Sequence, residues 1–112
     1  MSSNPLLRGS LQTIILKLLE DNGRMYGYEI TQKVKEITAG EVKLTEGALY
    51  PALHKLEAEG LLETSTEVAQ GRERKYYRLT EQGGHEVSNK LDEARSFMQQ
   101  LQALLNLKPA VK

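Results

Sequence analysis

The amino-acid sequence predicts a mainly α fold carrying one small β-hairpin, and three observations predict it. Three segments before residue 61 place apolar residues at helical spacing; two short stretches between residues 62 and 79 alternate apolar with polar; and a long row of apolar residues spaced by four and three fills the C-terminal segment. A chain of 112 residues suits one compact domain, and at that size a long element left over seeks a partner.

In the first helix Ser10 offers an N-cap oxygen, Leu11, Ile14, Ile15, Leu18 and Leu19 share one face, and Asp21, Asn22 and Gly23 stop it. The second follows Gly27, with Ile30, Val34 and Ile37 inward and Gly40 as its close. Thr45 caps the third, Glu46 suits its positive end, Leu49, Leu53 and Leu56 form its inward stripe, and Gly60 ends it. Pro51 lies within that helix and has no amide for the carbonyl of Gly47, so either the helix bends there or it begins near Pro51.

Residues 62–68 and 74–79 read as two antiparallel strands, with residues 69–73 as the turn and Gly71 supplying a positive φ. Val42, Lys43 and Leu44 alternate and offer a short third strand. Thr80 caps a last helix whose Val87, Leu91, Ala94, Met98, Leu101 and Leu105 form a heptad seam, a narrower stripe than a core-facing helix carries. Gly83 and Gly84 weaken its first turns, each by about 1 kcal/mol relative to alanine. The division is residues 1–80 as one unit and residues 81–112 as a second, helical one.

Composition removes several function classes. The chain has no cysteine, which excludes disulfides, thiolate nucleophiles and cysteine-type zinc sites and suits a reducing cytoplasm. The N-terminus MSSNPLLRGS lacks the apolar core of a signal peptide, and no run reaches the roughly 18 apolar residues of a membrane span. No membrane partner and a cytoplasmic location are therefore expected. His54 and His85 stand on different helices without metal-ligand spacing, and Gly83-Gly84 lacks the pattern of a phosphate loop, so no metal, cofactor or enzymatic activity is expected.

Charge is balanced at 15 basic and 15 acidic residues, which argues against coating nucleic acid through bulk positive charge. Its distribution is uneven. Residues 71–80 carry Arg72, Arg74, Lys75 and Arg78 against Glu73, while residues 41–70 carry six glutamates against Lys43 and Lys55. A hairpin tip bearing Arg72, Arg74 and Lys75 fits contact with phosphates or a minor groove. Beside it, the third helix leaves Ala48, Tyr50, Pro51, His54 and Lys55 pointing away from its leucine stripe, with Lys43 and Thr45 at its leading end. Small residues there let a backbone approach base edges, and Tyr50 can donate to a phosphate. Together the helix and the turn read as double-stranded DNA binding.

Three motifs bring in a family. YGYEI at residues 26–30, EGALYPALHKLEAEGLL at 46–62 and GRERKYYRLTEQG at 71–83 resemble the PadR-type winged helix-turn-helix transcriptional regulators, and the likeness spans most of the chain. The resemblance implies a winged helix-turn-helix over residues 1–80, with the third helix as recognition helix and residues 70–75 as wing, and a C-terminal dimerisation helix over 81–112. It implies a homodimer, usually a repressor. The seam points the same way from the residues themselves, since charges such as Lys90, Asp92, Glu93 and Arg95 flank it and a domain this small has little with which to cover it; packing against Leu6, Leu7 and the first helix is the alternative cover.

A two-fold dimer implies a pseudo-palindromic site with half-sites about 34–36 Å apart. Some family members bind flat hydrophobic effectors between subunits; here the candidates for such a pocket are Phe97 and Met98, which equally fit a dimer core. The tail at residues 108–112 resembles the compact subgroup. The competing reading of the whole chain is a winged-helix dimer that senses a small molecule or binds protein without reading DNA, which zero net charge favours.

Overall fold

The computed structural model describes the backbone of residues 5–107 and the side chains of residues 7–107. Its elements run α1 (Pro5–Arg8), α2 (Leu11–Asn22), β1 (Arg24–Tyr26), α3 (Gly27–Ile37), α4 (Glu46–Ala58), β2 (Leu62–Ala69), β3 (Arg72–Leu79) and α5 (Glu81–Leu105). The three strands form one antiparallel sheet in the order β1-β3-β2. α2, α3 and α4 close over its inner face, where Met25, Leu62 and Tyr77 join Ile15, Leu19, Ile30, Leu49, Leu53 and Leu56 in one buried core. Residue 6 and residues 108–112 enter the sequence expectations but have no described side chain.

Local signals explain most of these boundaries. The Gly23 amide donates to the carbonyl of Leu19 at 2.9 Å with φ +85°, closing α2 in a conformation that favours glycine. Ser10 does not cap α2 through its hydroxyl; its own amide donates to Leu7, ending α1, and its carbonyl accepts from Ile14. At α4, Thr45 Oγ1 accepts from the Ala48 amide at 3.2 Å, so the helix starts at Glu46 and runs unbroken through Pro51. Pro51 is tolerated because it stands on the exposed side, where water can satisfy the carbonyl it leaves without a donor.

Three expectations are corrected. The third strand is Arg24–Tyr26, not residues 42–44: the Val42 amide donates to Thr38 Oγ1 at 3.0 Å, and Val42 and Leu44 alternate because both dock on the core from an extended linker. The hairpin turn is two residues, Gln70 and Gly71, at φ +54° and +74°. This is the primed geometry that matches strand twist, and it lets Val68 and Ala69 pair with Glu73 and Arg72, so residues 69, 72 and 73 belong to the strands and not to the turn. Ile37, expected inward, is 66% exposed because α3 ends there.

The last helix follows from a tight junction. Thr80 Oγ1 accepts from the Gly83 amide at 3.0 Å and donates to the Gly60 carbonyl at 2.7 Å, pinning the start of α5 to the loop after α4. Val87 is 1% exposed and belongs to the core of the chain itself, so the first position of the expected seam is covered internally. Leu91, Ala94 and Leu101 are half-buried, and Met98 and Leu105 are exposed. A 25-residue helix is about 37 Å long. It carries the radius of gyration to 15.3 Å, against about 13 Å for a compact chain of this length.

The two glycines at its start are not equivalent. A Cβ at Gly84 would meet nothing within 4 Å, and the residue is exposed with helical φ. Gly84→Ala is expected to stabilise the protein by about 0.4–1 kcal/mol, read as a raised thermal midpoint at equal protein concentration.

Candidate nucleic-acid interface

α4 divides cleanly by burial. Leu49, Leu53 and Leu56 are fully buried, and Gly47, Pro51, His54, Lys55 and Ala58 form an exposed stripe on the other side at spacings of three or four. Two residues expected on that open face are displaced from it: Ala48 and Tyr50 are half-buried and pack against the core. They flank the leucine stripe closely enough on the helical wheel to be drawn in with it. The small residue at the front of the open face is Gly47. A Cβ there would meet only Thr45 Oγ1, at 3.9 Å, so nothing within the chain requires glycine. The effect is a bare stretch of backbone at the leading end of the helix, with Lys43 exposed just before it. Thr45 uses its side-chain oxygen as the cap.

Tyr50 packs against the start of α3. Its hydroxyl occupies the position a Cβ would take at Gly27, which is why the first residue of α3 is glycine. Its ring centroid is 6.3 Å from that of His54 on the same helix. Together Tyr26, Tyr28, Tyr50 and the wing residues Arg72, Arg74 and Lys75 line one cleft of about 490 Å³. Tyr77 forms its floor; burial pushes the Tyr77 hydroxyl above its ordinary pKa, with smaller contributions from Glu57 and Tyr50, so it stays protonated.

The basic side chains of the sheet fall into two groups. Arg78 Nε donates to Glu63 Oε2 at 2.7 Å, and Arg24 on β1 pairs with Glu67. Among the described residues no ion pair engages Arg72, Arg74 or Lys75. Arg74 is half-buried, its guanidinium 4.5 Å from the Tyr26 ring centroid, and Lys75 Nζ is 5.6 Å from that of Tyr77. Arg24, Tyr26 and Tyr28 join this region only through the fold. Tyr26 and Tyr28 stood in a motif that marked them, but Arg24 carried no such signal.

On α5, Phe97 is 53% and Met98 56% exposed. Phe97 lines a shallow groove with Gly9, Ser10 and Thr13 near the start of α2 and with Lys90 and Ala94 of its own helix; Met98 lies outside it. Lys90 pairs with Glu93 and Arg95 with Asp92 along the helix. Among the described residues no group of three or more His, Asp or Glu side chains could hold a metal ion, and no helix is long and apolar enough to cross a membrane.

The model of the transcriptional regulator PadR-like family matches residues 15–89. The transcriptional regulator Rv3488 of Mycobacterium tuberculosis is 38% identical over 76 residues, covering 68% of this chain and 67% of the relative. A transcriptional regulator from Clostridium thermocellum superposes with a TM-score of 0.77 at 30% identity, covering 92% of this chain and 96% of the other. A PadR family transcriptional regulator from Eggerthella lenta superposes with a TM-score of 0.78 at 25% identity, covering 92% of this chain and 88% of the other.

Proposed function

Because the chain belongs to the PadR-like family of transcriptional regulators, we propose that it is a cytoplasmic, homodimeric repressor binding a pseudo-palindromic operator in double-stranded DNA. Residues 1–80 act as the winged helix-turn-helix and residues 81–112 as the dimerisation segment, through α5. The open face of α4, with Gly47, Pro51, His54 and Lys55, lies in the major groove, and Tyr50 points from its flank toward a phosphate. Lys43 and Thr45 contact the backbone at its leading end, and Arg72, Arg74 and Lys75 hold flanking phosphates or the minor groove.

The observation that carries this reading is a shared border: Tyr50 of α4 and the three wing cations, which have no acidic partner among the described residues, line a single cleft. Two such clefts in a dimer offset the absence of net positive charge. A flat hydrophobic effector would stack on Phe97, since α5 carries no tyrosine or tryptophan.

Electrophoretic retardation of the DNA flanking its own gene, at two salt concentrations, tests the reading; no retardation at low salt would overturn it. Arg74→Ala is expected to weaken binding across all sequences. It should also lower the slope of log affinity against log salt by about 0.9 for each subunit engaged. His54→Ala should instead change which sequences are preferred, as expected for a base-facing residue.

A further inference from the structure

We propose that Arg24 is a positioning residue for DNA binding: by taking Glu67 in a two-point ion pair, it keeps that carboxylate away from Arg74 and leaves Arg74 open to a phosphate. This rests on the DNA-binding reading above.

The hairpin register makes the case. Glu63 lies opposite Arg78 and Glu67 lies opposite Arg74. Opposed charges directly across an antiparallel pair attract, and Glu63 takes its partner accordingly. Glu67 does not. Both its oxygens are held by Arg24 from β1, two strands away, with Nη2 donating to Oε1 at 3.0 Å and Nη1 to Oε2. Arg24 reaches there by lying over Tyr76, its guanidinium carbon 4.2 Å from the ring centroid. Tyr76 meets Tyr26 edge-on at 5.4 Å, and Arg74 stacks on Tyr26, so two rings separate the two guanidinium groups.

Glu29, the other carboxylate that senses Arg24, is engaged by the Tyr26 amide at 3.1 Å. The bond from Arg24 holds the Glu67 carboxyl below its ordinary pKa. Both partners are about half exposed, where an ion pair adds little stability, so its consequence lies in which cation it leaves free.

The test has one arm without DNA and one with it. In the first, the Glu67 carboxyl is titrated by carbon NMR. In Arg24→Gln it is expected to stay below its ordinary value, because Arg74 takes over, and to return to it only in Arg24→Gln/Arg74→Gln. An ordinary value in Arg24→Gln alone overturns the exchange.

In the second arm, Arg24→Gln is expected to lower the salt slope as Arg74→Ala does, by about 0.9 per subunit. Arg24→Gln/Glu67→Gln is expected to restore it. A wild-type slope in Arg24→Gln, or no recovery in the double variant, overturns the positioning role. Should the unaltered protein fail to retard DNA, the functional reading falls, while the titration still decides whether Arg24 keeps Glu67 from Arg74.

Discussion

Gly83→Ala is expected to destabilise the protein by about 1–3 kcal/mol, the range for overpacking a close contact, although the same change one residue later stabilises it. A Cβ at Gly83 would overlap the Leu61 carbonyl oxygen, lie 3.0 Å from its carbon and 3.3 Å from Leu79 Cδ2. Neither side can yield cheaply. The Leu61 carbonyl accepts the Thr80 amide at 3.0 Å, and the Leu61 amide donates to Leu56 at the end of α4. Gly83 itself donates to Thr80 Oγ1, whose hydroxyl is tied to Gly60. Relief therefore requires α5 to lift from the base of the hairpin, breaking bonds that link α4, the hairpin and α5 at one point. Urea unfolding of Gly83→Ala and Gly84→Ala at one protein concentration should move the midpoints in opposite directions. A Gly83→Ala midpoint equal to that of the unaltered protein would show that the junction is looser than this geometry implies.

That junction also marks where the sequence is legible and where it is not. Periodicity carries α2, α4 and α5, because each repeats apolar residues at intervals of three or four and each has a cap or a glycine at an end. It cannot tell Gly83 from Gly84, since both are glycines at the start of one helix and only the backbone of Leu61 distinguishes them.

β1 is too short to show a period, and residues 42–44 imitate one. The stripe at Leu49, Leu53 and Leu56 fixes the buried centre of α4, but not how far the core reaches around it to Ala48 and Tyr50. At the wing the basic composition was legible and its consequence was not: Arg78 spends its charge on Glu63, a pairing that needs the register. Arg24 reaches the wing through a strand the sequence did not reveal.

Met98→Asp is expected to convert the proposed dimer to a monomer and to abolish specific retardation at protein concentrations where the unaltered chain is fully bound. Beyond Ala94, α5 leaves Phe97, Met98, Leu104 and Leu105 exposed, with Leu101 half-buried between them, and Leu104 reaches 81% exposure. These positions recur at three and four residues along about two turns, the spacing of a helix-helix seam. Burying a methionine contributes about 1.5–3 kcal/mol, and two-fold symmetry applies the substitution twice. The loss is then about 3 kcal/mol or more, over a hundredfold in dimer dissociation at 1.4 kcal/mol per tenfold, before the desolvation of two carboxylates is added. Because Met98 stands in solvent within one subunit, the variant should keep its helix content, which circular dichroism checks, and Gln100→Asp on the same exposed stretch serves as control. Light scattering reads the mass. A Met98→Asp protein that stays dimeric rules out this seam, whereas a monomer that still retards the full operator with unchanged affinity rules out the paired recognition helices.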